Sequence, residues 1–512
     1  MQKQIKEIIK DINILKINNP NLLEKKVSGI KYNSKKVKED DIFVCLAGQH
    51  TDGTNFIEEA IKNGAKVIVS HKEIPFNFPN DVLYILTDNT NLALAKLSAN
   101  FYDHPSKKLL MIGVTGTNGK TTITFLLESI FQTAGFKTGV IGTINYRYNN
   151  KIIQASNTTP FSSDLQELLY NMVQEKVEVV IMEVSSHSLV QARVKECEFD
   201  VAIFSNLSPE HLDYHHNMEE YFKAKSILFK EISPNKKSIF SNSNLGRKVC
   251  IINYDDEWGR KLIELCSIKD IILYSKNSKY KNGNRIVASN IRYNANFTEF
   301  EILYNLEKKV KICSSLIGEF NIYNILASFS AAYSQNLNVD KIVEGIEKLE
   351  GIPGRLEKIP TPLNFNVIID YAHTPDALQN VILTLKKLPH RRLIVVFGCG
   401  GDRDRNKRPI MGAIATQLAD YVIVTSDNPR NEDPQRIILD IEVGIKKIGK
   451  TNYEIVPDRK QAIFKALSIA GNNDIVLLAG KGHENYQIIG SEKIPFDERE
   501  IVKEFFENKH GI

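Results

Sequence analysis

The chain has 512 residues, more than one hydrophobic core usually supports, so several domains are expected and three is the natural division. With 42% hydrophobic and 25% charged residues it matches soluble globular proteins, which excludes a disordered chain and a membrane protein. The formal charge of +5 is a small excess of 66 basic over 61 acidic side chains with no concentration in one patch, which argues against a nucleic-acid footprint.

Met1 to Leu15 alternates charge with isoleucine at helical spacing, so it lacks the apolar core of a signal peptide, and no later run reaches membrane-spanning length. Cys45, Cys197, Cys250, Cys266, Cys313 and Cys399 form no CxxC pair and mostly sit among apolar neighbours, as thiols of a reducing compartment do. A cytoplasmic protein without membrane attachment is expected, with a monomer as the default. Lysine-rich stretches such as Lys276 to Lys281 are interleaved with polar residues and read as solvated loops.

From Ile42 to Leu46, through a helical stretch ending near Gly64, to Ala65–Ser70, strand and helix patterns alternate as in a small α/β unit. His104-Pro105-Ser106 breaks that pattern, and a second unit starts with the apolar strand Leu109 to Val114. Strands at Val179 to Met182 and Val201 to Phe204 suggest a mostly parallel sheet, whose carboxyl ends are where ligands bind. Gly351-Ile352-Pro353-Gly354 reads as a linker, followed by a third α/β unit with strands Val367 to Asp370, Leu393 to Phe397, Tyr421 to Thr425 and Ile475 to Ala479. The expected division is 1–105, 106–350 and 351–512.

After the strand at Leu109 comes Thr115-Gly116-Thr117-Asn118-Gly119-Lys120-Thr121-Thr122, then a helical pattern over Ile123 to Ala134. Glycines let backbone N–H groups approach phosphates, a helix amino terminus favours negative charge, Lys120 can neutralise β and γ oxygens, and Thr121 can reach a magnesium ion. The strict P-loop pattern would have glycine at Val114, so the loop is a variant. Glu183 ends a buried strand, where a carboxylate is costly without a cation or donors, which marks it as a magnesium ligand. His215-His216 reads as a solvated loop.

The ordered motifs GTNGKTT (116–122), NTTP (157–160), EVSSH (183–187), SNLSPEHLDYH (205–215), GEFNIYN (318–324), PGRLE (353–357) and DYAHTPDAL (370–378) resemble the Mur ligases over nearly the whole chain. GCGGDRDRNKRP (398–409), DNPR (427–430) and GKGHE (480–484) resemble the members that attach a diamino acid. The resemblance implies a three-domain plan: an amino-terminal UDP-substrate-binding domain, a central ATP-binding domain with a P-loop-like mostly parallel sheet, and a Rossmann-like carboxyl-terminal acceptor domain. The implied reaction is ATP-dependent amide formation between UDP-N-acetylmuramoyl-L-alanyl-D-glutamate and meso-2,6-diaminopimelate, through an acyl phosphate and with Mg²⁺.

By the same resemblance, Gly116 to Thr122 with Asn321, Asn324, Arg355 and Asp370 would bind ATP. Ser34, Gln49, His50 and Thr51 would contact the uridine, and Asn157, Thr158, Thr159, Ser185, Gln191 and Arg193 the rest of that substrate. Asn33-Ser34-Lys35 and Gln49-His50 depart from the family's Asp-Ser-Arg and His-Gln. Lys120, Glu183, His211 and Lys225 would be catalytic, with Lys225 carbamylated and joining Thr121, Glu183 and His211 around magnesium. Arg403, Asp427, Asn428, Pro429, Arg430, Gly480 and Glu484 would hold diaminopimelate, with Arg430 suited to its distal carboxylate and Glu484 to an ammonium. L-lysine as acceptor, a folylpolyglutamate synthase and a non-catalytic nucleotide-binding scaffold are the alternatives. DNPR argues against the first, DNPR with GKGHE against the second, and intact Glu183, His211 and Lys225 against the third.

Overall fold

The computed structural model describes residues 1–48, 51–73, 78–235, 237–240, 245–277, 285–293, 297–305 and 308–510, and all counts refer to these. The strand Leu110–Thr115 is buried at every residue, as a strand covered on both faces must be, and lies inside an eleven-stranded sheet. Val179–Glu183 and Val201–Phe204 flank it in parallel, with Glu183 opposite Val114 and Phe204 opposite Thr115. Three strands thus end at one level, and the loops leaving Thr115, Glu183 and Phe204 share one edge.

Helix Lys120–Thr133 follows the first of these strands and buries Ile123, Leu126, Leu127 and Ile130 on one sheet face, beside helices Glu319–Ser334 and Val339–Glu347. Helices Ser162–Gln174 and Met218–Lys230 cover the other face. A five-stranded sheet precedes this layer, with Gly29–Lys31, Asp41–Val44, Val67–Ser70 and Leu83–Thr87 in parallel and Ile14–Ile17 antiparallel at its edge. A six-stranded sheet follows, in the order Glu357–Ile359, Asn366–Asp370, Ile475–Ala479, Leu393–Phe397, Tyr421–Val424, Tyr453–Ile455, parallel except at the first pair. Asp370 and Ala479 end opposite one another, so the loops that follow them also emerge together. The fold is a mostly parallel α/β architecture, and no described helix is long and apolar enough to cross a membrane.

Several sequence readings change. The amino terminus holds only the helix Ile5–Ile8, because Lys3–Gln4 pairs with Lys26–Val27 and Ile14–Ile17 with the strand at Leu83. Ile352 is buried, and Gly354 N–H donates to Glu357, so the 351–354 segment is a packed turn and not a free linker. His215 is buried with its Nε2 2.9 Å from Ser186 Oγ, which makes it a core histidine; His216 is exposed. Lys276 pairs with Glu319, which also takes Lys387 at 2.9 Å, so it ties elements together; residues 278–281 of that stretch lie outside the described residues. Of the cysteines, Cys45, Cys197, Cys250 and Cys399 are buried, whereas Cys313 is exposed.

Asp200, just before the strand Val201–Phe204, is fully buried between Lys237 Nζ at 2.7 Å and Lys248 Nζ at 3.0 Å, and accepts Met111 N–H at 2.8 Å. Lys237 also donates to the Ser106 and Leu109 carbonyls, stapling the entry to the central sheet. Asp200→Ala strands two buried ammonium groups and should cost about 3–5 kcal/mol of stability. Urea unfolding measures it, and an unchanged midpoint would show that the network carries no load.

Candidate active site

The loop after Thr115 turns twice through positive φ, at Gly116 (145°) and Gly119 (89°). A Cβ at these positions would collide with Ser205 Oγ or Asn324 Oδ1, so only glycine fits both conformation and space. The loop is pinned by Thr117 N–H to the Asn206 carbonyl (2.8 Å) and Asn118 N–H to Asn206 Oδ1 (2.9 Å). Lys120 Nζ folds back to the Gly116 and Thr117 carbonyls at 2.9 and 2.8 Å. Lys225, buried on helix Met218–Lys230, donates to the same Gly116 carbonyl at 2.7 Å. Two ammonium groups thus share one carbonyl oxygen. Burial pushes both pKa values down, and the charge of Lys120 lowers that of Lys225 further.

Glu183 is buried and accepts three donors: Thr121 Oγ1 at 3.0 Å, Thr143 N–H at 3.0 Å and Thr143 Oγ1 at 2.9 Å. His211, held at φ 57°, stands 3.8 Å from Glu210 Oε2 and sets its ring against His187. Among the described residues no three His, Cys, Asp or Glu side chains converge as a metal cage. The Thr121 hydroxyl and the Glu183 carboxylate stand together as hard oxygens of the kind magnesium takes beside phosphate oxygens and water.

A cavity of about 390 Å³ opens beside the loop, with Asn118, Gly119, Thr121, Thr122 and Asn324 on one wall and Arg355 and Asp370 on the other. Asn321 supports this wall by accepting from Asn324 Nδ2 at 2.9 Å. Arg355 reaches from the third sheet to Thr121 Oγ1 at 3.3 Å. Asp370 is fixed by the Leu356 and Ala372 N–H groups, with burial raising its pKa. Asp376 bridges the same gap, accepting from Asn118 Nδ2 and Ser208 Oγ, both at 3.1 Å. Phe320 and Tyr323 supply an aromatic wall where a base can stack.

A second cavity of about 630 Å³ lies between the same two sheets. Arg403, Asp427, Asn428, Arg430, Gly480 and Glu484 line one side, and His187, Glu210 and His211 face them. Pro429 turns the chain, its carbonyl accepting Glu432 N–H at 3.1 Å. Arg430 is half-buried at φ 51°, with Nη1 on the Gly401 carbonyl at 2.8 Å. The buried Arg408 holds these loops together through Glu432 Oε1 at 2.8 Å and the Gly400 carbonyl. Burial works against the charge of Glu210, yet His211, Lys120, His373 and Lys225 outweigh it and hold the carboxyl below its usual range.

On the side toward the first sheet, Thr158 Oγ1 meets Thr143 Oγ1 at 3.1 Å, Thr159 Oγ1 donates to the Glu183 carbonyl, and Tyr146 OH donates to the Asn157 carbonyl. Arg193 donates to Gln191 Oε1 and to the Thr159 carbonyl while stacking on Phe161, and Ser185 caps the helix Ser186–Val190. These six residues form one surface reaching the Glu183 loop. Ser34 is buried and donates to Glu59, Thr51 is exposed, and Gln49 and His50 lie outside the described residues. Glu210, Asp376 and Lys481 sit inside quoted motifs, though their contacts emerge only in the fold. Thr143 belongs to no motif and had no sequence signal.

Comparison with known proteins agrees with this geometry. Residues 26–102 match the Mur ligase family catalytic domain, 114–332 the Mur ligase middle domain and 354–482 the Mur ligase glutamate ligase domain. The chain belongs to the Mur ligase family. A UDP-N-acetylmuramoyl-L-alanyl-D-glutamate--2,6-diaminopimelate ligase of Clostridium tetani is 43% identical over 98% of this chain and 99% of its own length. The ligase of that name numbered 1 from Clostridium acetobutylicum is 44% identical over 94% of this chain and 95% of its own length. A solved structure of a ligase of the same name superposes with a TM-score of 0.68 and 32% identity across the full length of both chains. A MurF ligase of Thermotoga maritima in complex with ADP, 20% identical over 94% and 98%, shares the fold at a TM-score of 0.63.

In this Mur ligase, His483 packs on Tyr371 with ring centroids 4.9 Å apart, and its Nδ1 is buried without a hydrogen-bond partner among the described residues. Burial, then the charges of Arg355 and Arg499, lowers its pKa from 6.5 to about 4. Between those values the unfolded chain holds a proton the folded chain refuses, so this contribution is complete above pH 6.5 and lost toward pH 4. Urea titrations across that range should show a shallower acid decline for His483→Gln; an identical decline would contradict the assignment.

Proposed function

We propose that this chain joins meso-2,6-diaminopimelate to the D-glutamate of UDP-N-acetylmuramoyl-L-alanyl-D-glutamate at the expense of ATP, in the synthesis of a peptidoglycan precursor in the cytoplasm. The names of relatives at 43–44% identity over nearly the whole chain support the reaction. The observation that carries the acceptor is the second cavity, where guanidinium groups of Arg403 and Arg430 stand beside the carboxylates of Asp427 and Glu484. Paired charges of both signs match an amino-acid head group, and the central-sheet residues opposite are where the reacting amine must arrive. On this reading residues 1–105 hold the UDP end, 106–350 the ATP and 351–512 the acceptor.

The substrate γ-carboxylate attacks the γ-phosphorus of ATP, forming an acyl phosphate and releasing ADP; the acceptor amine then attacks the acyl carbon, the C–N bond forms, and phosphate leaves. Lys120 and the loop N–H groups stabilise the oxygens that carry charge in the first step. Arg355, which reaches across from the third sheet, joins them when the nucleotide is bound. Magnesium, held by Glu183 and Thr121 with His211 and a carbamate on Lys225, would neutralise the phosphates. Asn157, Thr158, Thr159, Ser185, Gln191 and Arg193 would orient the muramoyl-peptide so that its carboxylate faces the loop.

Phosphate release from ATP in the presence of the UDP-linked substrate tests this directly. Turnover is expected with meso-diaminopimelate and not with L-lysine or without amine, and Arg430→Ala should raise the diaminopimelate KM by about 10- to 150-fold, the value of a charged hydrogen bond. Preference for lysine would overturn the acceptor reading, and no turnover with any amine would overturn the ligase reading.

A further inference from the structure

The acceptor cavity has a cation behind its wall. Lys481 is completely buried, in the loop leaving strand Ile475–Ala479, and does not line the cavity. Its ammonium donates to Glu484 Oε2 at 3.1 Å and to Asn428 Oδ1 at 3.2 Å, joining the loop after Ala479 to the DNPR turn. The rings of Tyr486 and Phe496 flank it at 5.8 and 5.9 Å. Burying an ammonium is costly, and one so placed persists only where its partners need it.

It helps to fix the orientation of both partners. Asn428 Oδ1 also accepts Ile488 N–H at 2.9 Å, so both of its lone pairs face donors and the amide cannot flip. Asn428 Nδ2 then gives one hydrogen to Glu484 Oε2 at 2.8 Å, and the other has no acceptor among the described residues. Glu484 Oε2 is saturated by Lys481 and Asn428, which leaves Oε1 as the acceptor for a ligand. The ligand therefore meets one amide donor, the Arg430 guanidinium and one carboxylate oxygen, a donor and acceptor set for an amino-acid head group.

Resting on the acceptor reading above, we infer that Lys481 is a positioning residue for acceptor recognition: it orients the Asn428 amide and keeps the Glu484 carboxylate available for an ammonium. Without its charge, Glu484 has Arg430, on the same side of the cavity, as a cation within electrostatic reach. Pairing between those two would occupy the groups that read the acceptor's ammonium and carboxylate together.

Lys481→Met, which keeps the stem and removes the charge, and Lys481→Gln, whose amide still donates, are compared with the full-length wild type. Two activities are followed: complete turnover, and hydroxamate formation when hydroxylamine traps the acyl phosphate in the absence of acceptor. Lys481→Met should raise the KM for the acceptor by about 30-fold, the loss of a charged hydrogen bond, with KM for ATP and the hydroxamate rate unchanged. Lys481→Gln should recover most of that loss. An unchanged acceptor KM in Lys481→Met would overturn the inference, as would a fall in hydroxamate formation matching the fall in turnover, which marks a purely structural lysine. The ratio is read on whichever diamino acid the wild type uses, so wild-type preference for lysine sinks the acceptor reading alone, and the variants still decide the role of Lys481.

Discussion

Lys120 and Lys225 place two ammonium groups on the single carbonyl oxygen of Gly116, in a pocket whose burial lowers the pKa of both. Such an arrangement is incomplete without negative charge, and the surroundings are organised to receive it. The loop N–H groups, the amino terminus of helix Lys120–Thr133 and Arg355 all point the same electrostatic way. On the proposed function, phosphates would satisfy Lys120. Lys225 lies deeper, and the burial that lowers its pKa favours the free amine to which carbon dioxide would add, turning the surplus cation into an anionic oxygen ligand.

The sheets exist, in this light, to deliver groups to that pocket from three directions. Parallel pairing ends the strands at Thr115, Glu183 and Phe204 on one level, so a phosphate loop, a buried carboxylate and the Asn206 anchor meet without long connections. The third sheet repeats the device: Asp370 and Ala479 end opposite one another, and PGRLE, which leads into Glu357 opposite Ile369, meets the GKGHE loop at that edge. Arg499 fastens those two loops, donating to Glu357 Oε1 at 2.8 Å and to the Gly482 carbonyl at 3.3 Å. Arg355 and Glu484, the proposed nucleotide and acceptor contacts, thus belong to one packed unit, which would tie acceptor delivery to phosphate binding.

Much of this was legible in the residues. Apolar runs such as Leu109 to Val114 and Val179 to Met182 announce buried parallel strands, and glycines before Lys-Thr announce the loop. Periodicity left Met1 to Leu15 open, because isoleucines at helical spacing serve equally well to pack two short strands and one helical turn, and pairing with Lys26–Val27 and Leu83–Thr87 decides for the latter. Gly351 to Gly354 has linker composition, yet tertiary packing of Ile352 makes it rigid. Motif residues that line the two cavities could be named from sequence, whereas the contacts that hold them could not: Thr143 supports Glu183 from forty residues away, and Asp376 meets Asn118 across a gap between sheets.

The charge imbalance at Gly116 is tested most directly by carbon NMR of the protein equilibrated with isotope-labelled bicarbonate, wild type beside Lys225→Met. A carbamate resonance present in the wild type and absent from the variant is predicted. A fully active wild type that shows no such resonance would contradict the account, leaving Lys225 a buried cation whose charge the site tolerates without compensation.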